Sequence, residues 1–236
     1  LRYDGKKLAT VSLPVKNPEI NKIQCLYTDK NGVVWIGTRQ GGLWAYDKNN
    51  FVQVKGSDDY AINAITEDEQ GTIWVSTSIG CFYLENNALK RLSDSHSFSS
   101  SIITAGKDSI IAGTQDGIIL AVNKKIVKNF KLDAVRTSAV FCMLQYKNML
   151  IIGTDDRGVF VWDRLTGNVK NYNVKDGLNS NTIYSLVADE YGVVWAGTGR
   201  GANRLLFSAN SKAFAVTGNG SSKNLVLESN QNATLY

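Results

Sequence analysis

One short phrase recurs five times along the chain, as Trp35-Ile36-Gly37-Thr38, Trp74-Val75-Ser76-Thr77, Ile111-Ala112-Gly113-Thr114, Ile151-Ile152-Gly153-Thr154 and Trp195-Ala196-Gly197-Thr198. Its closing threonines stand roughly 40 residues apart, close to the ~40–45 of a four-stranded propeller blade. A repeat of that length is one supersecondary unit that cannot bury its apolar faces alone, so neighbouring units must stack.

The first unit shows the strands. Lys22 to Tyr27 alternates, Asp29-Lys30-Asn31-Gly32 makes a turn, and Val33 to Thr38 runs back. Arg39-Gln40-Gly41-Gly42 turns into Leu43 to Tyr46, and Asp47-Lys48-Asn49-Asn50 into Phe51 to Val54. Four strands and three tight turns read as a meander. The second and fifth units repeat the pattern through Asp68 and Gly71, and through Asp189 and Gly192. The third and fourth are degenerate, with Gly106 to Ser109 and Tyr146 to Asn148 in place of Asp-x-x-Gly and a first turn shorter by about two residues. The fold class is all-β, a propeller of four-stranded antiparallel blades. Five repeats occupy 20–205; 1–13 reads as the end of a preceding blade, and 206–236 as a last outer strand followed by the start of a further blade, Asn232 to Tyr236 resembling a first strand. The chain is thus expected to be a single propeller unit or a portion of one.

Within the phrase, Trp35 and Gly37 fall on one side of their strand because side chains alternate. A ring beside a missing side chain allows the next blade to approach closely over the glycine. Gly113, Gly153 and Gly197 take the same place, and Ser76 keeps it small. Trp35, Trp74 and Trp195 are expected in the core. The recurring Asp29, Asp68 and Asp189 are expected to hold turns through backbone N–H groups, with Gly32, Gly71 and Gly192 at positive φ.

The 236 residues carry a formal net charge of +5. The basic residues are scattered singly over every repeat, which speaks against a nucleic-acid partner; the densest cluster, Lys124, Lys125, Lys128 and Lys131, suits the solvated edge of a sheet. No apolar stretch is long enough for a membrane helix. Cys25, Cys81 and Cys142 sit in apolar runs without C-x-x-C spacing and read as buried small hydrophobes. No metal-ligand spacing is present, no cofactor is implied, and the lone His96 lies in a polar connection.

The unit Asp-x-x-Gly-x-x-Trp-x-Gly-Thr followed by Gly resembles the regulator-propeller repeat of the extracytoplasmic sensor region of bacterial hybrid two-component systems. It is full at Asp29, Gly32, Trp35, Gly37, Thr38 and Gly42, and at Asp189, Gly192, Trp195, Gly197, Thr198 and Gly201; Ser76 interrupts it between Asp68, Gly71, Trp74 and Thr77, Gly80. Gly113-Thr114 and Gly153-Thr154 carry it in part, and Asp176-Gly177-Leu178-Asn179-Ser180-Asn181 resembles the family's connection into the next blade. The resemblance implies a periplasmic sensing module of a larger membrane-anchored kinase, answering to an oligosaccharide. Its expected partners are the remaining blades of the parent protein, a second copy as a homodimer, and the sugar; the membrane is met only through the parent. A non-catalytic scaffold propeller is the alternative reading and a propeller lyase or hydrolase the third.

Ligand contacts are expected on one face, where the turns between second and third strands meet the connections between blades. The turns carry Arg39-Gln40, Ser78-Ile79, Gln115-Asp116, Asp155-Asp156-Arg157 and Gly199-Arg200; the connections add Asn21, Tyr60, Arg136 and Asn181. Arginines there can grip carboxylate or sulfate through paired hydrogen bonds, and a tyrosine offers a flat ring and a hydroxyl.

Overall fold

The structure, a computed structural model, describes residues 2–3, 5–15, 22–95, 97–131, 138–207 and 213–217. Strands β1 (Arg2–Tyr3) and β2 (Leu8–Ala9) pair as a small antiparallel sheet ahead of five sheets of four strands each. The first blade is β3 (Ile23–Thr28), β4 (Val34–Thr38), β5 (Leu43–Asp47) and β6 (Asn50–Gln53). The second is β7 (Ile62–Glu67), β8 (Ile73–Thr77), β9 (Gly80–Glu85) and β10 (Ala88–Arg91). The third runs β11 (Ser99–Gly106), β12 (Ser109–Thr114), β13 (Gly117–Val122) and β14 (Lys125–Phe130), and the fourth β15 (Val140–Tyr146), β16 (Met149–Thr154), β17 (Val159–Asp163) and β18 (Val169–Tyr172). The fifth closes with β19 (Ile183–Ala188), β20 (Val194–Thr198), β21 (Gly201–Phe207) and β22 (Ala213–Thr217). Each sheet is an antiparallel meander in chain order, so the expected all-β propeller is what the chain forms. The segment 232–236, read as the start of a further blade, lies outside the described residues.

First strands pack in succession, β3 on β7, β7 on β11, β11 on β15 and β15 on β19. The core is accordingly four seams rather than one centre. Trp35, Leu43 and Val54 of the first blade meet Ile62, Ile65, Val75 and Phe82 of the second. Trp74, Cys81 and Leu92 meet Ile102, Ile110 and Ile119; Ile111 and Ile118 meet Val140, Met143 and Ile152; Ile151, Val159 and Val161 meet Ile183, Val194 and Leu205. The second strand β8, covered on both faces, is buried at every position.

Three of the four seams close at the glycine. A Cβ on Gly37 would lie 2.4 Å from Cys25 Sγ and 2.8 Å from Ile62 Cγ2; on Gly153 it would lie 2.5 Å from Cys142 Sγ and 2.7 Å from Ile183 Cγ2. The space is filled twice, by a small residue paired across the hairpin and by the opening residue of the next first strand. At the second seam both partners change together: Ser76 replaces glycine, Ser99 replaces the isoleucine, and their hydroxyls bond at 2.8 Å.

Every first strand also carries a register shift just after its opening residue, between Ile23 and Cys25, Ile62 and Ala64, Ser99 and Ser101, Val140 and Cys142, and Ile183 and Ser185. A bulge leaves a backbone group without its ladder partner, and here the preceding blade supplies one. Cys25 Sγ donates to the Ile62 carbonyl (3.4 Å), Asn63 Nδ2 to that of Ser99 (2.8 Å), Ser100 Oγ to that of Val140, and Cys142 Sγ to that of Ile183 (3.6 Å). Burial pushes the thiols of Cys25 and Cys142 up to about 12, so both remain S–H donors at neutral pH. The expectation of inert buried cysteines holds for Cys81, which is fully buried; the other two are half-buried and hold seams.

The aspartates hold turns as expected, and do more. Asp29 Oδ1 accepts the N–H groups of Asn31 and Val33 at 2.9 Å, while Oδ2 takes the indole N–H of Trp35, also at 2.9 Å. Asp68 does the same for Gln70, Thr72 and Trp74, and Asp189 for Tyr191, Val193 and Trp195. Gly32, Gly71 and Gly192 turn the chain at φ 82, 91 and 76°. In the degenerate blades Ile111 and Ile151 replace the tryptophan and need no acceptor. Their turns shrink to Lys107-Asp108 and Lys147-Asn148 where the first blade has Asp29 to Val33, so the first turn is shorter as expected. Ser101 and Gly113 keep the sequence separation of Cys25 and Gly37, because β11 takes up the residues and bulges between Thr104 and Gly106; only Cys142 and Gly153 stand one residue closer.

Trp195 departs from expectation. Trp35 and Trp74 are 8% and 1% exposed, whereas Trp195 is 39% exposed, since among the described residues no further blade covers its side of the fifth sheet.

Gly153→Val should overpack the fourth seam and cost about 1–3 kcal/mol, read as a fall in Tm. Asp68→Ala strips three hydrogen bonds and strands a buried indole N–H; urea unfolding should show a loss of about 2–3 kcal/mol. The Trp195 indole, then the Val193 N–H, hold the Asp189 carboxyl below its ordinary value. A carboxyl depressed by folding contributes stability above about pH 4 that is lost as pH falls through its folded value. Trp195 fluorescence should therefore titrate below about pH 4, and Asp189→Asn should remove that step.

Candidate functional site

The five phrases end in threonine because that side chain ties the next turn. Thr38 Oγ1 donates to the Gly42 carbonyl (2.8 Å) and accepts the Gly41 N–H (2.9 Å). Thr77 binds Gly80 and Ile79, Thr114 binds Gly117 and Asp116, Thr154 binds Gly158 and Arg157, and Thr198 binds Gly201 and Arg200 in the same sense. The glycine after each turn has a reason too: at Gly42, where φ is +74°, a Cβ would lie 2.3 Å from the Ser57 carbonyl oxygen.

The same turns are bonded to the connections that enter their blades. Arg39 N–H donates to Lys22 O (2.8 Å), Ser78 to Ala61 (3.2 Å), Gln115 to Phe98 (3.1 Å), Asp155 to Ala139 (3.0 Å) and Gly199 to Thr182 (3.0 Å). Gly42 and Gly158 reach onward to the Tyr60 and Asn181 carbonyls of the next connection, at 3.2 and 2.7 Å. Turn tips and connections therefore form one continuous face.

The residues expected on that face divide by what their side chains already do. Arg39, Gln40, Asp116 and Arg200 are exposed at turn tips of the first, third and fifth blades. Tyr60 is no open platform: its ring packs 5.1 Å from that of Phe82 inside the first seam. Asp156 accepts the Ser138 hydroxyl at 2.8 Å, the Arg157 carbonyl accepts Asn171 Nδ2 at 2.7 Å, and Asn181 Oδ1 accepts the Val174 N–H at 2.9 Å. Asn181 thereby braces the short 3-10 turn Val174–Asp176, which Asn173 caps. Burial, with the Asp176 carboxylate beside it, pushes the Tyr172 hydroxyl up and keeps it a neutral phenol. Asn21, Arg136 and His96 lie outside the described residues.

A second feature, on the first strands, has no signal in the sequence. The bulged positions of the first strands are Gln24, Asn63, Ser100, Phe141 and Tyr184, and the last two stack with ring centroids 6.1 Å apart and an interplanar angle of 11°. No group of three potential metal ligands occurs among the described residues. The exposed set offers two guanidinium groups, an amide and a carboxylate spread over three blades, an arrangement that suits several hydrogen bonds to an extended polar molecule.

The two component regulator propeller family matches residues 18–40, 56–78 and 177–200. Among solved structures, the extracellular domain of a one component system protein from B. thetaiotaomicron superposes with a TM-score of 0.70 at 13% identity, over 85% of this chain and 32% of that one. The extracellular domain of a hybrid two component system protein from the same organism gives 0.51 at 14% identity, over 93% of this chain and 46% of that one. Virginiamycin B lyase from Staphylococcus aureus gives 0.66 at 14%, over 86% and 71%. The chain spans less than half of either B. thetaiotaomicron domain, and at these identities the likeness is one of fold. No curated protein matches the sequence. Three matches to the two component regulator propeller repeat thus fall at 18–40, 56–78 and 177–200, on the first, second and fifth blades.

Proposed function

We propose that the chain is a non-catalytic, extracytoplasmic sensing module of a two-component signalling protein, and that it takes an oligosaccharide on the face formed by the turn tips and blade connections. The observation that carries this reading is the regulator-propeller repeat itself, whose regular residues serve turns and seams and leave the irregular tip residues Arg39, Gln40, Asp116 and Arg200 exposed. Location outside the cytoplasm agrees with the extracellular domains that share the fold. Among the described residues no helix is long and apolar enough to cross a membrane, so anchoring falls to other parts of the protein. Arg39 and Arg200 would grip acidic or hydroxyl groups of the sugar, with Gln40 and Asp116 sharing its hydroxyls. Signalling then requires that the ligand bind two states of the assembly unequally.

Titration calorimetry against a panel of neutral, uronic and sulfated oligosaccharides tests the reading. Arg39→Ala and Arg200→Ala should each weaken binding about tenfold, roughly 1.4 kcal/mol, without lowering Tm. Silence across the panel removes the sugar and favours a scaffold that binds protein alone.

A further inference from the structure

The lysines of the third blade stand on a sheet edge that the chain leaves unused. β14 is the outermost strand of its blade and pairs on one side only, with β13. The second blade shows what such an edge can take. After β6 the chain runs onto β10, where Lys55 bridges Ala88 in parallel and its carbonyl accepts the Leu89 N–H at 3.1 Å. The bond from the Val54 N–H to the Leu43 carbonyl just before Lys55 recurs from Leu92 to Cys81, so Ser93 holds the place of Lys55 at the next connection. Ser93 makes no bond to β14, and among the described residues the outer edge of Lys125–Phe130 is free.

A bulge decides which side chains stand along that edge. Lys125 pairs with Val122 and Lys128 with Leu120, Val127 being the extra residue between them. Val122 and Leu120 are two apart, so both lysines fall on one side of the sheet, where unbulged residues three apart would fall on opposite sides. It is the side on which Leu120 and Phe130 pack against the fourth blade. There the Phe130 and Trp162 rings lie 4.6 Å apart, and the Lys128 ammonium sits 4.7 Å over Phe130. Both lysines are exposed, and neither has an ion pair among the described residues, whereas Lys30 and Lys124 hold Glu67 and Glu85. No carboxylate stands on any of the five outer strands. On the other side of β14, Ile126 packs into the apolar seam with the second blade.

We propose that the outer edge of β14 takes an extended acidic segment of a partner protein as a fifth strand of the third blade. The backbone of that segment continues the ladder, its carboxylates stand beside Lys125 and Lys128, and its alternate, apolar residues lie beside Ile126. The same lysines repel the cationic outer strands of another copy, so the edge is closed to self-pairing and open to an acidic strand. The site lies on the rim of the inner blades, apart from the turn tips, and is independent of the sugar reading.

The probe is a short capped peptide of alternating Glu and Val, titrated into the intact chain at low salt and followed by calorimetry and amide hydrogen exchange. It should bind and slow exchange across Lys125–Phe130. The same peptide with Gln for Glu, or with every amide N-methylated, should bind at least about tenfold more weakly. Lys125→Glu with Lys128→Glu, at two exposed positions, should abolish binding at unchanged Tm, and a Lys-Val peptide should then bind in its place. Failure of the Glu peptide to bind, equal binding by the double variant, or equal binding of the N-methylated peptide would overturn the proposal. So would protection of β14 by a sulfated oligosaccharide and not by the peptide, which would assign the edge to a sugar.

Discussion

Adjacent sheets in this molecule approach so closely at Gly37, Gly113 and Gly153 of three second strands that a methyl group does not fit, and much of the architecture follows from that approach. With glycine there, the opening side chain of the next first strand drops into the space, and the two backbones come near enough for a side chain of one to bond a carbonyl of the other. The bulge at the start of each first strand makes that carbonyl available. Steric room and hydrogen bonding are thus coupled at one point, and Ser76 with Ser99 shows the coupling directly, since the contact switches from packed methyls to paired hydroxyls while the spacing survives.

Away from the seam the remaining motif residues serve local ends. The aspartate divides its two oxygens between the turn backbone and an indole, so the turn is fixed to the ring that fills the seam. Where the ring becomes isoleucine, no acceptor is needed and the aspartate is absent. Motif residues therefore come and go in sets, as the third and fourth blades show.

Much of this was legible in the residues. The period of the phrase gave four-stranded units, Asp-x-x-Gly gave the first turn, and alternation put Trp35 and Gly37 on one side. Three things were not legible, each for a physical reason. A bulge changes pairing without any characteristic composition, so the seam hydrogen bonds of Asn63 and Ser100 left no trace in the sequence. Burial depends on what stands opposite, so Trp195 looked the same as Trp74 until the neighbouring surface was known. The function of a tyrosine or asparagine depends on the partners it has already found, and Tyr60 and Asn181 proved to be engaged within the fold.

The threonine at the end of each second strand has a consequence for diversity. Because one hydroxyl both donates to and accepts from the backbone of the turn that follows, the shape of that turn owes nothing to the side chains at its tip. Within this single chain the five tips read Arg-Gln, Ser-Ile, Gln-Asp, Asp-Asp-Arg and Gly-Arg, each tied by its threonine to the glycine four residues on in the first and fourth blades and three on in the others. Shape and chemistry are separated on this face, so its surface can be rewritten residue by residue while the propeller beneath stays as it is.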